Sequence, residues 1–259
     1  MSTQWIIEIS EDFPDGARVA DAVRAKGGDA ETVDASSPTF VWPSIVGIPI
    51  GCGSVNFILK MLRQRFVNEG VLDFTEGLRC STYYHYVYDM LCRRAMFLPF
   101  GALPHADVRF FGDEVFIRPD AAIKQFDGQV IRTADLKRPG GILGIARGIG
   151  GLVVLSEVVE MGDEYRVFCR NGEAMCWSMY KPTVSPIVPK EVILMAEKAA
   201  KRLIESTGSV ISVDVAKNAE GQLRLVEVNG VNAAGLYACD LEAFISMMEA
   251  EARERRSMH

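Results

Sequence analysis

The sequence contains six cysteines but no C-x-x-C pair, and its three histidines, His85, His105 and His259, stand at no metal-ligand spacing from a cysteine or from one another. These absences exclude the common zinc patterns. No apolar run approaches the roughly 18 to 20 residues that a membrane-spanning helix needs, and the first ten residues carry no basic stretch ahead of an apolar one. The expectation is a cytoplasmic protein with no membrane partner, whose thiols stay reduced and pack as small hydrophobes. Lysine and arginine are not gathered into a basic run, and the formal net charge is -6. A surface for tracking a phosphate backbone is therefore missing, and no nucleic-acid partner is expected. The one mixed-charge run, residues 249–256, reads as the solvated end of a C-terminal helix.

What is present is an ordinary globular composition: 259 residues, 49% hydrophobic and 24% charged. That length suits one domain or a fused pair. Residues 5–9, 15–26 and 30–33 read as strand, helix, strand, and residues 45–50 and 55–66 repeat the strand and helix, so a parallel α/β unit extends to about residue 70. Gly51-Cys52-Gly53 lacks the third glycine of a dinucleotide loop and reads as a strand-to-helix turn. Residues 78–94 predict an aromatic-rich helix, in which Tyr83, Tyr84, Tyr86 and Tyr88 cannot all be buried. Pro99, Gly101 and Pro104 then break the pattern, which places a domain boundary near residue 98.

Beyond that point the strands become antiparallel. Residues 114–118 and 129–132 flank Asp127-Gly128, and residues 164–170 and 173–180 flank Asn171-Gly172, both dipeptides favoured in tight hairpin turns. Between them lie a short helix within 133–147 and a buried strand over 152–159. An amphipathic helix over 190–207 precedes strands at 210–216 and 223–228, and a last helix begins near Asp240.

The stretch from residue 213 to 229 carries the most chemistry. Glu227 and Asn229 point to one side of their strand, and hairpin pairing can bring Asp214 to that side. Two carboxylates and an amide oxygen converging in apolar strands are costly unless a cation satisfies them, and hard oxygen ligands suit Mg²⁺. The same acidic residues also fit solvent-facing positions on an edge strand.

Asp214, followed one hairpin later by Glu227-Val228-Asn229 and the loop Gly230-Val231-Asn232-Ala233-Ala234-Gly235, resembles the metal-binding strand pair of the ATP-grasp superfamily. The resemblance covers roughly residues 112–240. It implies that Asp214, Glu227 and Asn229 hold Mg²⁺ against the phosphates of ATP. Residues 156–164 look like the family's hinge, where Glu157 and the backbone of Val158 and Val159 would face adenine and Glu164 would accept from the ribose hydroxyls. The segment also fits a plain strand end running into a glycine turn. Arg118 stands where most members carry a phosphate-binding lysine, and Lys124, Arg166 and Lys181 extend the cationic set. Taken singly, each cation fits a solvated surface charge. Together they resemble a clade with paired arginines and a lysine at the nucleotide site, known partly from phage genomes. Ser212 stands where many members have an arginine.

The resemblance implies an α/β (α+β) architecture: a small N-terminal parallel domain, residues 1–98, and an ATP-grasp domain, residues 99–259, with a small lobe to about 157 and a large lobe beyond. It implies an ATP-dependent ligase that joins a small-molecule or peptide carboxylate to an amine through an acylphosphate, with Arg166 and Lys181 in the catalytic set. A phosphotransferase on the same scaffold and a non-catalytic ATP-binding module remain the alternatives.

Overall fold

The computed structural model describes residues 2–37, 39–64, 70–72, 77–123, 125–137 and 150–258. The chain divides into two compact units, Met1–Phe74 with Gly162–His259, and Thr75–Met161. The first unit holds a parallel sheet of order β2-β1-β3, built from β1 (Thr3–Glu8), β2 (Asp29–Val33) and β3 (Ile48–Cys52). All of β1 is buried, as befits the middle strand of a parallel sheet. Helix α1 (Gly16–Ala25) lies between the first two strands in sequence, and α2 (Val55–Arg63) follows β3. The glycine pair around Cys52 is a strand-to-helix turn: β3 ends at Cys52, and Ser54 caps α2 by accepting the Phe57 N–H at 3.2 Å.

The same unit carries an antiparallel sheet of order β11-β10-β8-β9, from β8 (Asp163–Arg170), β9 (Glu173–Lys181), β10 (Val210–Lys217) and β11 (Leu223–Asn229). Asn171 and Gly172, at φ 52° and 79°, make the left-handed turn that a two-residue hairpin requires. Helix α5 (Lys190–Thr207) buries Val192, Ala196, Ala199 and Leu203, the stripe that its periodicity predicts. Helix α6 (Leu241–Ser257) begins where the Asp240 carboxylate accepts the N–H groups of Glu242 and Ala243.

Trp5, Val19, Phe168, Phe244 and Met248 belong to one buried cluster, so the first strand and the last helix share a core. Burial of each such side chain stabilises by about 1.5–3 kcal/mol. The charged run at residues 249–256 is not wholly solvated. Glu251 is 2% exposed, because Arg170, Ser209 and Arg255 all donate to its carboxylate.

In the second unit, β4 (Ala95–Pro99), β5 (Glu114–Pro119), β6 (Gln129–Arg132) and β7 (Leu152–Ser156) form an antiparallel sheet of order β4-β7-β5-β6. The boundary expected near residue 98 falls inside β4, whose Leu98 pairs with Val153 of β7. A single helix over 78–94 does not form. The segment is α3 (Cys80–Tyr83), a 3₁₀ turn Tyr84–Tyr86 and α4 (Tyr88–Leu91), ended by Cys92 at φ 50°. Aromatic and β-branched residues lose rotamer freedom in a helix, and burial of Tyr83 and Tyr84 sets their local geometry instead, while Tyr86 and Tyr88 are exposed. Of the helix expected within 133–147, the described part is a 3₁₀ turn, Thr133–Lys137. Residues 138–149 and Lys124 lie outside the described residues.

Candidate active site

In the first unit, cross-strand pairing defines the site. Across β9, β8, β10 and β11, Ser178, Arg166, Asp214 and Glu227 form one row. Lys181, Glu164, Ala216 and Arg224 form the next row, and Cys176, Phe168, Ser212 and Asn229 the one on the other side. Residues paired across strands share a face, so Glu164, Arg166, Lys181, Asp214, Glu227 and Asn229 all occupy one side of the sheet. The sequence expectation that Glu164 and Arg166 share a face, and Glu227 and Asn229 likewise, agrees with this register.

Two β-bulges lie at the level of the site. Opposite the Glu164–Tyr165 step the extra residue is Tyr180, and opposite the Asp214–Val215 step it is Val226. Bulges re-aim side chains and concentrate beside functional sites. The first turns the Tyr180 hydroxyl onto Glu164 Oε2, at 2.6 Å, with Asp214 Oδ2 at 3.5 Å. The second brings Arg224 to the same face as Glu227.

Arg166 and Asp214 form a two-bonded fork, Nε to Oδ1 at 2.8 Å and Nη2 to Oδ2 at 2.7 Å. Asp214 is 1% exposed, and burial raises its carboxyl above the ordinary range despite the opposing pull of Arg166; Glu227 and Glu164 add to the rise. Burial works against the Arg166 cation, but the charge and hydrogen bonds of Asp214 outweigh it and hold the guanidinium above its ordinary value. The Arg166 guanidinium also lies 5.5 Å and 5.6 Å from the ring centroids of Tyr180 and Tyr237, which stack on each other at 5.2 Å. Lys181 Nζ donates to Glu164 Oε1 at 3.0 Å, and Asn229 Nδ2 to Glu227 Oε1 at 2.8 Å. Burial, with Asp214 next, pushes the Tyr180 hydroxyl up, so it remains a donor at any working pH.

The loop after β11 closes one end of this face. Its Gly235 carbonyl accepts from Arg166 Nη1 at 3.3 Å. The Leu236 N–H donates to Asp15 Oδ2 at 2.8 Å, and Arg18 Nη1 to the Tyr237 carbonyl at 2.8 Å. Asn232 is the deeper anchor. Its amide donates to the Gly51 and Gly70 carbonyls at 2.7 and 2.8 Å and accepts from the Leu72 N–H at 3.2 Å.

In the second unit, Arg118 lies on β5, near enough to Cys80 and Tyr84 for its charge to oppose the burial that raises both. Arg93 is buried beside this strand, its guanidinium 5.8 Å from the Phe116 ring and Nη2 3.4 Å from the Tyr84 hydroxyl. Glu157, Val158 and Val159 leave β7 as irregular chain. The Glu157 carboxylate accepts the Arg94 backbone N–H at 2.7 Å and its Nε at 2.6 Å, so an arginine already occupies it.

Sequence reasoning missed Arg93, Tyr180, Arg224 and Tyr237. The adjacent arginines at 93 and 94 were a signal, whereas Tyr180 and Arg224 reach the site only through the bulges. Among the described residues no three His, Cys, Asp or Glu side chains form a metal-binding cluster. The donor set for a cation is two carboxylates and an amide, hard oxygen groups that fit Mg²⁺ in kind.

A parallel sheet followed by two antiparallel sheets, one carrying paired carboxylates and an arginine on a single face, defines the ATP-grasp class. The model of the ATP-grasp domain of the clade named for two arginines and a lysine, family 2, matches residues 93–247, and the chain belongs to that family. Among solved structures it resembles the D-cycloserine synthetase DcsG (TM-score 0.65, 14% identity, 98% of this chain and 99% of that one). It also resembles the ATP-grasp ligase PsnB complexed with minimal precursor (0.59, 16%, 97% and 100%). D-alanine–D-alanine ligase from Bacillus anthracis gives 0.59 at 11% identity, with 100% of each chain covered. At such identities the likeness establishes the fold. A search of curated proteins gives no match. Among the described residues no helix is long and apolar enough to cross a membrane.

Proposed function

We propose that this protein is an ATP- and Mg²⁺-dependent ligase that joins a carboxylate to an amine. In the proposed reaction the substrate carboxylate attacks the γ-phosphorus of ATP, ADP leaves, and an amine displaces phosphate from the acylphosphate to give an amide. The observation that carries the reading is the row Arg166–Asp214–Glu227 on three adjacent strands, with Lys181 and Glu164 one row away. Family membership and the resemblance to structures named as ligases or a synthetase support it.

In this reading Asp214, Glu227 and Asn229 hold Mg²⁺, which when bound offsets charge on the phosphates. Arg118 and Lys124 bind phosphate oxygens, with Arg118 suited to a two-bonded grip. The backbone of Glu157, Val158 and Val159 reads adenine, while Arg94 fixes the Glu157 carboxylate. Glu164 accepts from the ribose. Arg166 and Lys181 stabilise the transferring phosphoryl group, in chemistry where positioning and electrostatics dominate. The substrates are a small-molecule or peptide carboxylate and an amine.

The test is a screen for ADP release from ATP and Mg²⁺ with amino acids and short peptides, followed by mass measurement of any product. A substrate pair should give ADP and an amide. Glu227→Gln should abolish ADP release while leaving the melting curve in place; undiminished turnover in that variant would overturn the assignment.

A further inference from the structure

The fork between Arg166 and Asp214 uses both oxygens of a carboxylate that is 1% exposed, and that same carboxylate is the one assigned to a divalent cation. The arginine is held from several sides. Nη1 reaches the Gly235 carbonyl, and the guanidinium lies near the stacked rings of Tyr180 and Tyr237. Tyr237 keeps its place through a left-handed backbone at φ 51° and the Arg18 bond to its carbonyl. Tyr180 is fixed by its bond to Glu164. The Arg166 cation thus sits where it neutralises Asp214, and a buried carboxylate stripped of its partner is strongly destabilising.

We propose that Arg166 is the resident counter-cation of Asp214 in the nucleotide-free protein, and that a divalent cation and Arg166 compete for this one carboxylate. An incoming phosphate gives the guanidinium a second anion to grip, and only then does Asp214 become available to the metal. Binding of cation and nucleotide is therefore coupled through one side chain, and by linkage each strengthens the other. The proposal deepens the reading of the site given above and rests on its assignment of Asp214.

The experiment titrates the full chain with Mn²⁺ alone, without nucleotide, and follows free Mn²⁺ by electron paramagnetic resonance. Wild-type protein should bind weakly. Arg166→Gln should bind more tightly by about tenfold or more, because it leaves Asp214 without its cation. Adding Asp214→Asn to that variant should remove the gain. Arg166→Lys, which keeps the charge but not the fork, should fall between wild type and Arg166→Gln, and it decides the matter where the glutamine variant does not fold. Affinity unchanged in the Arg166 variants, or a gain that survives Asp214→Asn, would overturn the proposal. The readout involves no turnover. A chain that releases no ADP yet shows the gain would refute the ligase reading alone; ADP release without the gain would refute only the competition.

Discussion

Arg224 and Glu227, three residues apart on β11, point to the same face of the sheet because Val226 is the extra residue of a bulge opposite the Asp214–Val215 step. In a regular strand an odd separation would place them on opposite faces. The bulge therefore adds a cation to a face that already carries Glu164, Asp214 and Glu227.

Arg224→Met should weaken binding of magnesium ATP by about tenfold, the worth of one charge-assisted hydrogen bond. Calorimetric titration with a non-hydrolysable analogue measures it. Unchanged affinity would remove Arg224 from the nucleotide site.

The buried ion pair makes a contrasting prediction about stability. Asp214→Ala leaves Arg166 buried without its partner and should lower the unfolding free energy by about 3–5 kcal/mol in urea denaturation. Replacing both partners, Arg166→Met with Asp214→Leu, should restore more than half of that loss, since removing both charges also removes their desolvation cost. If the double variant is no better than the single one, packing and not charge explains the deficit.

Glu251 gives a pH dependence. Burial pushes its carboxyl up, but the hydrogen bonds from Ser209, Arg255 and Arg170 outweigh burial and leave it below the ordinary glutamate value of 4.5. A carboxylate depressed on folding contributes stability that is present above its unfolded value and lost as pH falls through its folded one. Wild-type stability should therefore drop below about pH 4.5. Glu251→Gln should be less stable at neutral pH and flatter in the acid range, as melting temperatures across a pH series would reveal.

Asn232→Ala should cost at least about 2 kcal/mol, because the Gly51 and Gly70 carbonyls and the Leu72 N–H lose their side-chain partner. Asn232→Asp should be worse, since a carboxylate would face two carbonyl oxygens. Chemical denaturation of both variants measures the order; an aspartate variant as stable as wild type would contradict it.

The alternation of strand side chains made much of this site legible beforehand. Glu164 with Arg166, and Glu227 with Asn229, are spaced by two, and hairpin dipeptides mark where strands turn. Tyr180 and Arg224 were hidden because a bulge cannot be read from a period of two. Asn232 was legible only as part of a loop, since its partners lie 160 or more residues away along the chain. The helix expected over 78–94 failed because its tyrosines are divided between burial and solvent, a tertiary fact. The boundary near 98 was drawn at Pro99, which β4 accommodates as its last residue.

The shared core also bears on where this protein can be cut. Trp5 packs 6.4 Å from Phe244, which in turn meets Phe168 at 5.2 Å. A fragment trimmed to the family match at residue 93 would bare the aromatic floor beneath the catalytic sheet and release the loop that Asn232 tethers. The first seventy residues thus serve as scaffolding for chemistry encoded at the far end of the polypeptide, and the unit of inheritance is smaller than the unit of folding.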